Sequence, residues 1–499
     1  MTGIFANFGK RLSIAFSGEK NMTPAGILKV EGTKIVDTDG KEVLLRGAGV
    51  GGWANMENFI TGFPGREYQI RQALAEVLGK EKAQFFFDKF LEYFFTEQDA
   101  KYYKSLGLNC IRVPFNYRHF EDDMHPRVLK PDGFKWLDRI VNLCAAEGIY
   151  TILDMHTVPG GQNGDWHSDS AHHVAEFWNH KDFQDRSVWL WEKIAEHFKG
   201  NPWIAGYNPL NEPCDPTHER LQAWYHQVYP AIRKIDPDHI LFLDGNTFAS
   251  DFSHFDVEET CKKWDNTVYS VHDYSNYGFP ASSETYTGTE EQKAKIKRSY
   301  LRKVQWMKEN NLPIWNGEFG PVYARKEYDG EEETPKINDS RIKLLKDQLE
   351  VYDEDRISWS IWLYKDIGYQ GMVYINPDTP YMKLFRGFLD KKFRLAIDAW
   401  GADDSKIRDV MEPFEQFIAD NVDPKYRNLY PSPVWKFKDR IARISRNILL
   451  AEFMVKEWAD HFEGMNEKQL DELAQSFKFE NCVHRDSLNK VLRDHRGIA

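Results

Sequence analysis

Two glutamates, far apart in the chain, stand in short motifs that could support acid–base or nucleophilic chemistry. Glu212 lies in the run Asn208-Pro-Leu-Asn-Glu-Pro213, and Glu318 lies in the run Trp315-Asn-Gly-Glu-Phe-Gly320. Cleavage of a glycosidic bond requires two such carboxyl groups, because one protonates the leaving oxygen while the other attacks the anomeric carbon or activates water. Since a lone glutamate is as often a salt-bridged scaffold residue, the prediction depends on a fold that brings the two together.

Eight short apolar runs predict the strands that would position these glutamates. The runs are 43–48, 108–114, 150–156, 204–210, 239–244, 267–272, 313–318 and 357–362. Helical patterns separate several of them, with apolar residues at three-and-four spacing over 134–147, 184–198, 219–234 and 290–310. Strands that alternate with helices predict an α/β fold with a parallel sheet, which at this strand number closes most economically as a (β/α)8 TIM barrel. An open doubly wound sheet is the alternative, disfavoured because no Gly-x-Gly-x-x-Gly follows the first strand.

The flanking segments predict the domain organisation. Residues 1–26 form a lead-in segment, and a small N-terminal β-hairpin follows, with Asp39-Gly40 as a turn. The catalytic barrel is predicted over 27–421, its last helix beginning near residue 403. A proline-containing linker over 423–433 precedes a helical C-terminal extension, 434–499, which we expect to pack on the barrel wall. A partner surface or an oligomer contact is the alternative role for the extension.

Composition excludes several classes of partner. The net charge of −12 over 499 residues argues against nucleic acid, because phosphate binding needs a basic face. No apolar stretch approaches the ~20 residues of a membrane span.

The N-terminus lacks the apolar core of a secretory signal, so a cytoplasmic protein is expected, with a mature secreted form as the alternative. The five cysteines lack metal-type spacing and are expected to be free thiols. Aromatic residues reach 14%, which fits a site that stacks on sugar rings. The sequence sets no oligomeric state.

Polar residues collect where the predicted strands end, which is where active sites of such barrels lie. They are Arg112, Asp154, His156, Asn211, Glu212, His272, Tyr274, Glu318, Trp362, Lys365 and Asp366. Ionisable groups are costly near a core unless they are paired, so this distribution favours an active site over a structural role. A carbohydrate-binding scaffold on a degenerate barrel would lack one of the two glutamates, and both are present.

In combination these motifs resemble glycoside hydrolase family 5. The matching motifs are Ile-Arg-Val-Pro, Asp-Met-His, Asn-Glu-Pro, His-x-Tyr, Gly-Glu-Phe-Gly and a tryptophan on the eighth strand, in that order along residues 27–400. The resemblance implies that Glu212 is the acid/base and Glu318 the nucleophile of a retaining double displacement. Carboxyl groups about 5–5.5 Å apart are then expected.

The resemblance also implies roles for the surrounding residues. Asn211 would bind the sugar 2-hydroxyl, while Arg112 and Tyr274 would keep Glu318 charged and correctly aimed. The residues implied to line the −1 subsite are His156, His272 and Trp362. We further expect the pKa of Glu212 to be raised by the charge of Glu318, so that it holds a proton near neutral pH.

Two long loops bear on the substrate. The first-strand loop, 51–64, and the third-strand loop, 159–168, are aromatic and would block one end of a groove, which favours removal of a terminal sugar. From them and the strand-eight end we take Trp53, Asn163, Trp166 and Asp366 as further binding or supporting residues. The first loop is most similar to the intracellular exo-acting β-mannosidases of the family. Alternatives are an exo-β-glucosidase or β-1,3-glucanase-like enzyme and an endo-acting mannanase or glucanase, and transglycosylation could accompany hydrolysis.

A metal-dependent barrel hydrolase is a more distant alternative. It would use a cluster of loop histidines, namely His167, His172, His173 and His180. Their spacings fit no zinc motif, so we predict that the enzyme uses no metal and no cofactor. The expected partner is an oligosaccharide or glycoside.

Overall fold

A computed structural model of the chain describes residues 26–397, 400, 403–427 and 437–495. The predicted lead-in therefore lies outside the described residues except for Gly26, and so does the second half of the predicted linker. The predicted hairpin is present, with β1 (Lys29–Glu31) antiparallel to β2 (Lys34–Val36). Its turn is made by Gly32 and Thr33, where Gly32 adopts a φ of +61°. The predicted turn at Asp39-Gly40 is also present: the Gly40 N–H donates to the carbonyl of Asp37 at 3.1 Å, and the chain then returns to pair Glu42 with Val36.

Eight parallel strands close into a barrel. They are β3 (Arg46–Gly49), β4 (Cys110–Asn116), β5 (Tyr150–Thr157), β6 (Ile204–Asn208), β7 (Ile240–Asp244), β8 (Thr267–His272), β9 (Ile314–Glu318) and β10 (Ser358–Ile361). Each strand pairs with the next in chain order, and β10 pairs in parallel with β3 to complete the ring. All eight runs predicted as strands are strands, and the TIM-barrel prediction is confirmed.

Burial on both faces explains why these strands read as continuous apolar runs. Inside the barrel, Ile152, Phe242 and Trp315 belong to one hydrophobic cluster. Leu28 and Ile35 of the hairpin pack in the same cluster, so the hairpin closes the end of the barrel opposite the mouth. This packing leaves the carboxyl ends of the strands as the open face.

Helices surround the barrel. Those of eight residues or more are Glu67–Leu78, Lys80–Phe94, Glu97–Ser105, Pro131–Ala146, Lys181–Phe198, Arg220–Ile235, Glu290–Glu309, Glu333–Glu354, Pro380–Arg394, Arg408–Asn421, the π-helical Arg443–Leu450, Ala451–Asp460, Glu467–Ala474 and Asp486–Asp494. Within the described ranges, no helix combines the length and apolar character that crossing a membrane would need.

The C-terminal helices contact an insertion between β3 and β4. Helix Ala451–Asp460 packs on Glu67–Leu78, and Glu467–Ala474 packs on Lys80–Phe94. Aromatic rings fill these contacts in the pairs Phe63–Trp458, Phe86–Phe462 and Phe90–Phe477, with centroids 4.7, 5.0 and 4.8 Å apart. A three-stranded sheet adds to the contact, because β13 (Cys482–His484) pairs antiparallel with β12 (Val373–Ile375), which pairs with β11 (Lys365–Asp366). Much of the aromatic content therefore serves packing.

Candidate active site

The carboxyl ends of the strands bring the predicted polar residues together at the barrel mouth. Glu318 is the last residue of β9 and His272 the last residue of β8, while Arg112 projects from β4. Asn211 and Glu212 lie three and four residues beyond the end of β6 at Asn208. These positions come from distant parts of the chain, so only closure of the barrel makes them neighbours.

Glu318 is held by two donors. The guanidinium of Arg112 donates to its Oε1, and the hydroxyl of Tyr274 donates to its Oε2 at 2.8 Å. Arg112 is fully buried; burial lowers its pKa, but the carboxylates of Asp154 and Glu318 outweigh that effect and raise it. The guanidinium is thus a permanent positive charge against Glu318, and the two donors fix the direction in which the carboxylate points.

Glu212 has different partners. Nδ1 of His272 lies 2.7 Å from its Oε1, and Nε2 of His167 lies 3.1 Å from its Oε2. Its backbone is in the left-handed region with a φ of +46°, a conformation that costs a non-glycine residue about 1–3 kcal/mol. That conformation is secured on both sides, because its N–H donates to Asp244 at 2.9 Å and its carbonyl accepts the Asn163 amide at 2.9 Å.

The pKa of Glu212 is not raised as expected from the sequence. Burial raises it, but the hydrogen bonds and charges of His167 and His272 outweigh burial and bring the pKa well below its ordinary value. The expectation considered only the negative charge of Glu318. In the substrate-free site, the proton that an acid catalyst needs is therefore held on the neighbouring histidines.

The two carboxylates are close together. Glu212, His272 and Glu318 each place one side-chain nitrogen or oxygen so that the three atoms lie within 4.8 Å of one another. Retaining glycosidases have carboxyl groups about 5–5.5 Å apart, whereas inverting enzymes need about 6.5–9.5 Å to fit a water between them. The 4.8 Å limit applies to one oxygen of each carboxylate, and this close approach is compatible with the retaining arrangement.

A flat surface lies beside the pair. The rings of His156 and Trp362 are stacked with centroids 5.4 Å apart and an interplanar angle of 5°. Nδ1 of His156 lies 2.7 Å from Asp154, and the Asn211 amide lies between Arg112, at 2.6 Å, and Nε2 of His156, at 3.3 Å. Predicted residues thus line one continuous edge of the site.

The third-strand loop contributes Asn163 and Trp166, as predicted, together with His167 as a direct partner of Glu212. The Trp166 indole N–H donates to Glu57 at 3.2 Å. Glu57 is buried, and its other oxygen lies 3.7 Å from Nε2 of His156. Burial, together with the charges of Glu318 and Glu212, raises the pKa of Glu57 to about 8 although His167 lowers it, so Glu57 is protonated at neutral pH.

Trp400 is a further aromatic residue at the mouth. It is partly buried, its ring meets those of Tyr274 and Phe279 at 4.9 and 4.6 Å, and its indole N–H donates to Gln370 at 2.6 Å. Sequence reasoning did not single out Glu57 or Trp400. The position of Glu57 inside the aromatic first-strand loop could have indicated it as a site residue. Nothing in the sequence around Trp400 distinguishes that tryptophan from the others.

Two predicted residues lie away from the glutamates. Trp53 is fully buried in the hydrophobic core and donates its indole N–H to the carbonyl of Leu91 at 2.8 Å, so it is a packing residue. Asp366 is fully buried and accepts the backbone N–H groups of Gly368, Gln370 and Gly371. It therefore shapes the turn that carries Gln370, whose side chain accepts from Trp400 at 2.6 Å and donates to the carbonyl of Gly320 at 3.2 Å.

The histidines that suggested a metal site do not converge on one point. His173 contacts the carbonyl of Gly164 at 2.8 Å, while His172 and His180 lie 4.0 and 3.4 Å from Glu176. Within the described residues, two other groups have ligand-type atoms close enough for an ion: Glu212, His272 and Glu318, and His218, Asp251 and His254. The first group is already bonded to Arg112, Tyr274 and His167. In the second, the amide nitrogen of Asn246 lies 2.9 Å from Nδ1 of His218.

Comparisons with known proteins agree with this geometry. A family model described as cellulase (glycosyl hydrolase family 5) matches residues 79–368. A protein named beta-xylosidase from Phanerodontia chrysosporium is 65% identical over 95% of this chain and 98% of its own length. Endoglucanase C of Acetivibrio thermocellus is 26% identical over 58% of this chain and 89% of its own length.

Among solved structures, endoglucanase Cel5A from the hyperthermophilic Thermotoga maritima matches 56% of this chain and 84% of that chain, with a TM-score of 0.44 and 21% identity. The family model and the 65%-identical relative together show that this chain belongs to glycoside hydrolase family 5.

Proposed function

We propose that the protein is a retaining, exo-acting β-glycosidase that works by double displacement. The observation that carries this proposal is the pair of carboxylates within 4.8 Å whose partners differ in kind. Glu318 is bonded to a permanent cation, Arg112, and Glu212 is bonded to two titratable histidines. This is the asymmetry expected of a nucleophile beside an acid/base.

In the first step, an oxygen of Glu318 attacks the anomeric carbon while the bond from that carbon to the leaving oxygen breaks. Glu212 transfers its proton to the leaving oxygen, and a glycosyl ester on Glu318 results. In the second step, Glu212 takes a proton from water, the water oxygen attacks the anomeric carbon, and Glu318 departs as a carboxylate. Asn211, between Arg112 and His156, is placed to bind the sugar 2-hydroxyl.

Exo action is supported by a closed wall on one side of the mouth. The first-strand and third-strand loops are joined by hydrogen bonds in the pairs Asn55–His167 and Glu57–Trp166, both at 3.2 Å, and the segments that follow them are joined by a hydrogen bond from Arg66 to the carbonyl of Ser170 at 2.6 Å. The C-terminal extension braces this wall, because Arg443 lies 3.1 Å from Asp165. A groove for a long polymer would need this side open.

The glycone we expect first is β-linked xylose, because the relative that is 65% identical across nearly the whole chain is named a beta-xylosidase. β-Linked mannose is the second candidate, favoured by the resemblance of the first-strand loop to exo-β-mannosidases. β-Linked glucose follows as the third. All three sugars share the mechanism, so the choice among them concerns the glycone and not the two glutamates.

A panel of aryl β-xyloside, β-mannoside, β-glucoside and β-galactoside, beside the matching polymers, tests both the sugar and the mode. We expect rapid release from one aryl glycoside and no early loss of polymer viscosity. A fast fall in viscosity would contradict exo action. The anomeric configuration of the first product, followed by NMR, tests retention: an α-configured product would contradict the double displacement.

A further inference from the structure

His167 is a buried histidine in a one-turn helix, Trp166–Ser168, of the third-strand loop. Its Nε2 lies 3.1 Å from Oε2 of Glu212, while His272 occupies the other oxygen, Oε1, at 2.7 Å. Each oxygen of the acid/base therefore has its own imidazole. The family resemblance implies a role for His272 in the −1 subsite but implies none for His167.

The two histidines have different surroundings. Nδ1 of His272 also lies 3.6 Å from Glu318, and its Nε2 lies 3.7 Å from Asp244. His272 therefore faces three carboxylates, those of Glu212, Glu318 and Asp244. Burial lowers the pKa of His272, but the charge of Glu318 and the hydrogen bond to Glu212 outweigh burial and raise it. The His272 proton is therefore shared between contacts to both glutamates, whereas the ion-pair contact of His167 is to Glu212.

A donor is aimed at Nε2 of His167. The amide nitrogen of Asn163 lies 2.8 Å from it, and the orientation of this amide is fixed, because its oxygen accepts the N–H of Asp165 and its nitrogen donates to the carbonyl of Glu212, both at 2.9 Å. A donor facing Nε2 favours the form of the ring that lacks a proton there. Asn163 therefore lowers the cost of moving a proton from His167 to Glu212.

We propose that His167 is a positioning residue that stores the catalytic proton in the resting site and passes it to Oε2 of Glu212 when substrate binds. The transfer breaks the Nε2–H bond and forms the Oε2–H bond, and the freed Nε2 lone pair then accepts the Asn163 N–H. Glu212 next protonates the leaving oxygen. In the second step the proton that Glu212 takes from water can return to His167. This inference rests on the proposed function and specifies how its acid/base is supplied.

The charges around His167 are consistent with storage. Burial lowers its pKa, but the hydrogen bond and charge of Glu212 raise it to about 9, with smaller contributions from Glu57 once that group is ionised and from Asp165. The titratable groups that face it from the packed elements are Glu212 after β6, Glu57 of the first-strand loop, Asp165 of its own loop, and Asp154 and His156 of β5. At neutral pH the pair formed by His167 and Glu212 thus contains one transferable proton.

The proposal is tested by measuring kcat/KM of the variant His167→Gln. The substrates are aryl and alkyl β-glycosides whose leaving groups increase in basicity. The glutamine amide can still donate to Glu212, but it cannot supply a proton. General acid catalysis contributes about 10²–10⁴-fold, so we expect kcat/KM to fall at least about 10-fold on phenyl and alkyl glycosides and less than about 3-fold on the 2,4-dinitrophenyl glycoside. The basic limb of the pH profile should move to lower pH, because Glu212 alone then controls it.

His172→Gln is the matched control, since this histidine follows the same loop, is exposed, and has its Nε2 4.0 Å from Glu176. It should leave the whole series unchanged. In His167→Ala, added imidazole should restore activity on the phenyl glycoside. This second variant keeps the proposal testable if His167→Gln folds poorly.

An equal loss on every leaving group, an unshifted basic limb or a failure of imidazole rescue would overturn the storage role and leave His167 a structural residue. Failure of the proposed function is separable, because it would show as turnover in Glu318→Ala, which does not involve His167.

Discussion

Removing the hydroxyl of Tyr274 isolates one hydrogen bond to the nucleophile. Its oxygen lies 2.8 Å from Oε2 of Glu318, and its ring packs against Trp400 and Phe279, so Tyr274→Phe deletes the bond and keeps the packing. A hydrogen bond to a charged group contributes about 1.5–3 kcal/mol. Since about 1.4 kcal/mol changes a rate tenfold, the full loss corresponds to about 10- to 150-fold.

The loss should fall mainly on the second chemical step. In the first step the charge on Glu318 is consumed as the ester forms, so a donor to that charge gives the transition state little advantage. In the second step Glu318 departs as a carboxylate, and the Tyr274 hydroxyl stabilises the charge that reappears. Tyr274→Phe should therefore accumulate the glycosyl-enzyme, lowering kcat and KM together.

Stopped-flow kinetics with a 2,4-dinitrophenyl glycoside measures both steps. We expect a burst of dinitrophenolate equal to the enzyme concentration, followed by slow turnover, and intact-mass analysis should find the glycosylated protein. Tyr277→Phe is the control, because this hydroxyl, in the same segment, donates to Glu284 at 3.2 Å instead of to the nucleophile. A kcat within twofold of wild type in Tyr274→Phe, or a slower burst with unchanged steady-state turnover, would refute the reasoning.

Three further predictions follow from the site. Glu318→Ala should abolish turnover of every aryl glycoside, and added azide should restore a slow reaction whose product has the opposite anomeric configuration; normal rates would refute its role as nucleophile. Glu57 retains a proton in the folded protein up to about pH 8, whereas the unfolded chain releases it near pH 4.5, so stability should fall as pH rises through this window by about 1.4 kcal/mol per pH unit for this group. Urea midpoints across the window should show a flatter dependence in Glu57→Gln, and an unchanged slope would contradict the buried, protonated state. Activity should persist in excess chelator after dialysis, and a loss that zinc restores would revive the metal alternative.

The strands were predictable because burial on both faces leaves a strong local signal in each apolar run. The helices between β3 and β4 leave a weaker sequence signal, although the phenylalanines of Lys80–Phe94 recur at helical spacing. The aromatic excess was harder to interpret. Rings that pack the C-terminal extension, such as Trp458 and Phe462, have the same composition as rings that stack on sugars, and only tertiary contacts separate the two uses.

The site was predictable where a residue lies at or within a few positions of the end of its strand, as Glu318 and Glu212 do, because the barrel itself then sets its position. It was not predictable where a loop must fold back. His167 reaches Glu212 only because its backbone carbonyl accepts from Asn55 and from Thr157 of β5. Trp53 shows the converse error, since membership of a loop at the mouth does not determine whether a side chain points outward.

The different partners of the two glutamates fit the different tasks that we propose for them. An arginine keeps its charge throughout any accessible pH, so Arg112 stabilises a carboxylate but never supplies a proton to it. A histidine stabilises the same charge and remains able to give its proton away. A carboxylate paired with arginine can consequently act as a nucleophile and as a leaving group but receives no proton from its partner. A carboxylate paired with His167 can alternate between acid and base. Exchanging the kind of cation beside each glutamate, and leaving both glutamates in place, should therefore be enough to disable the double displacement.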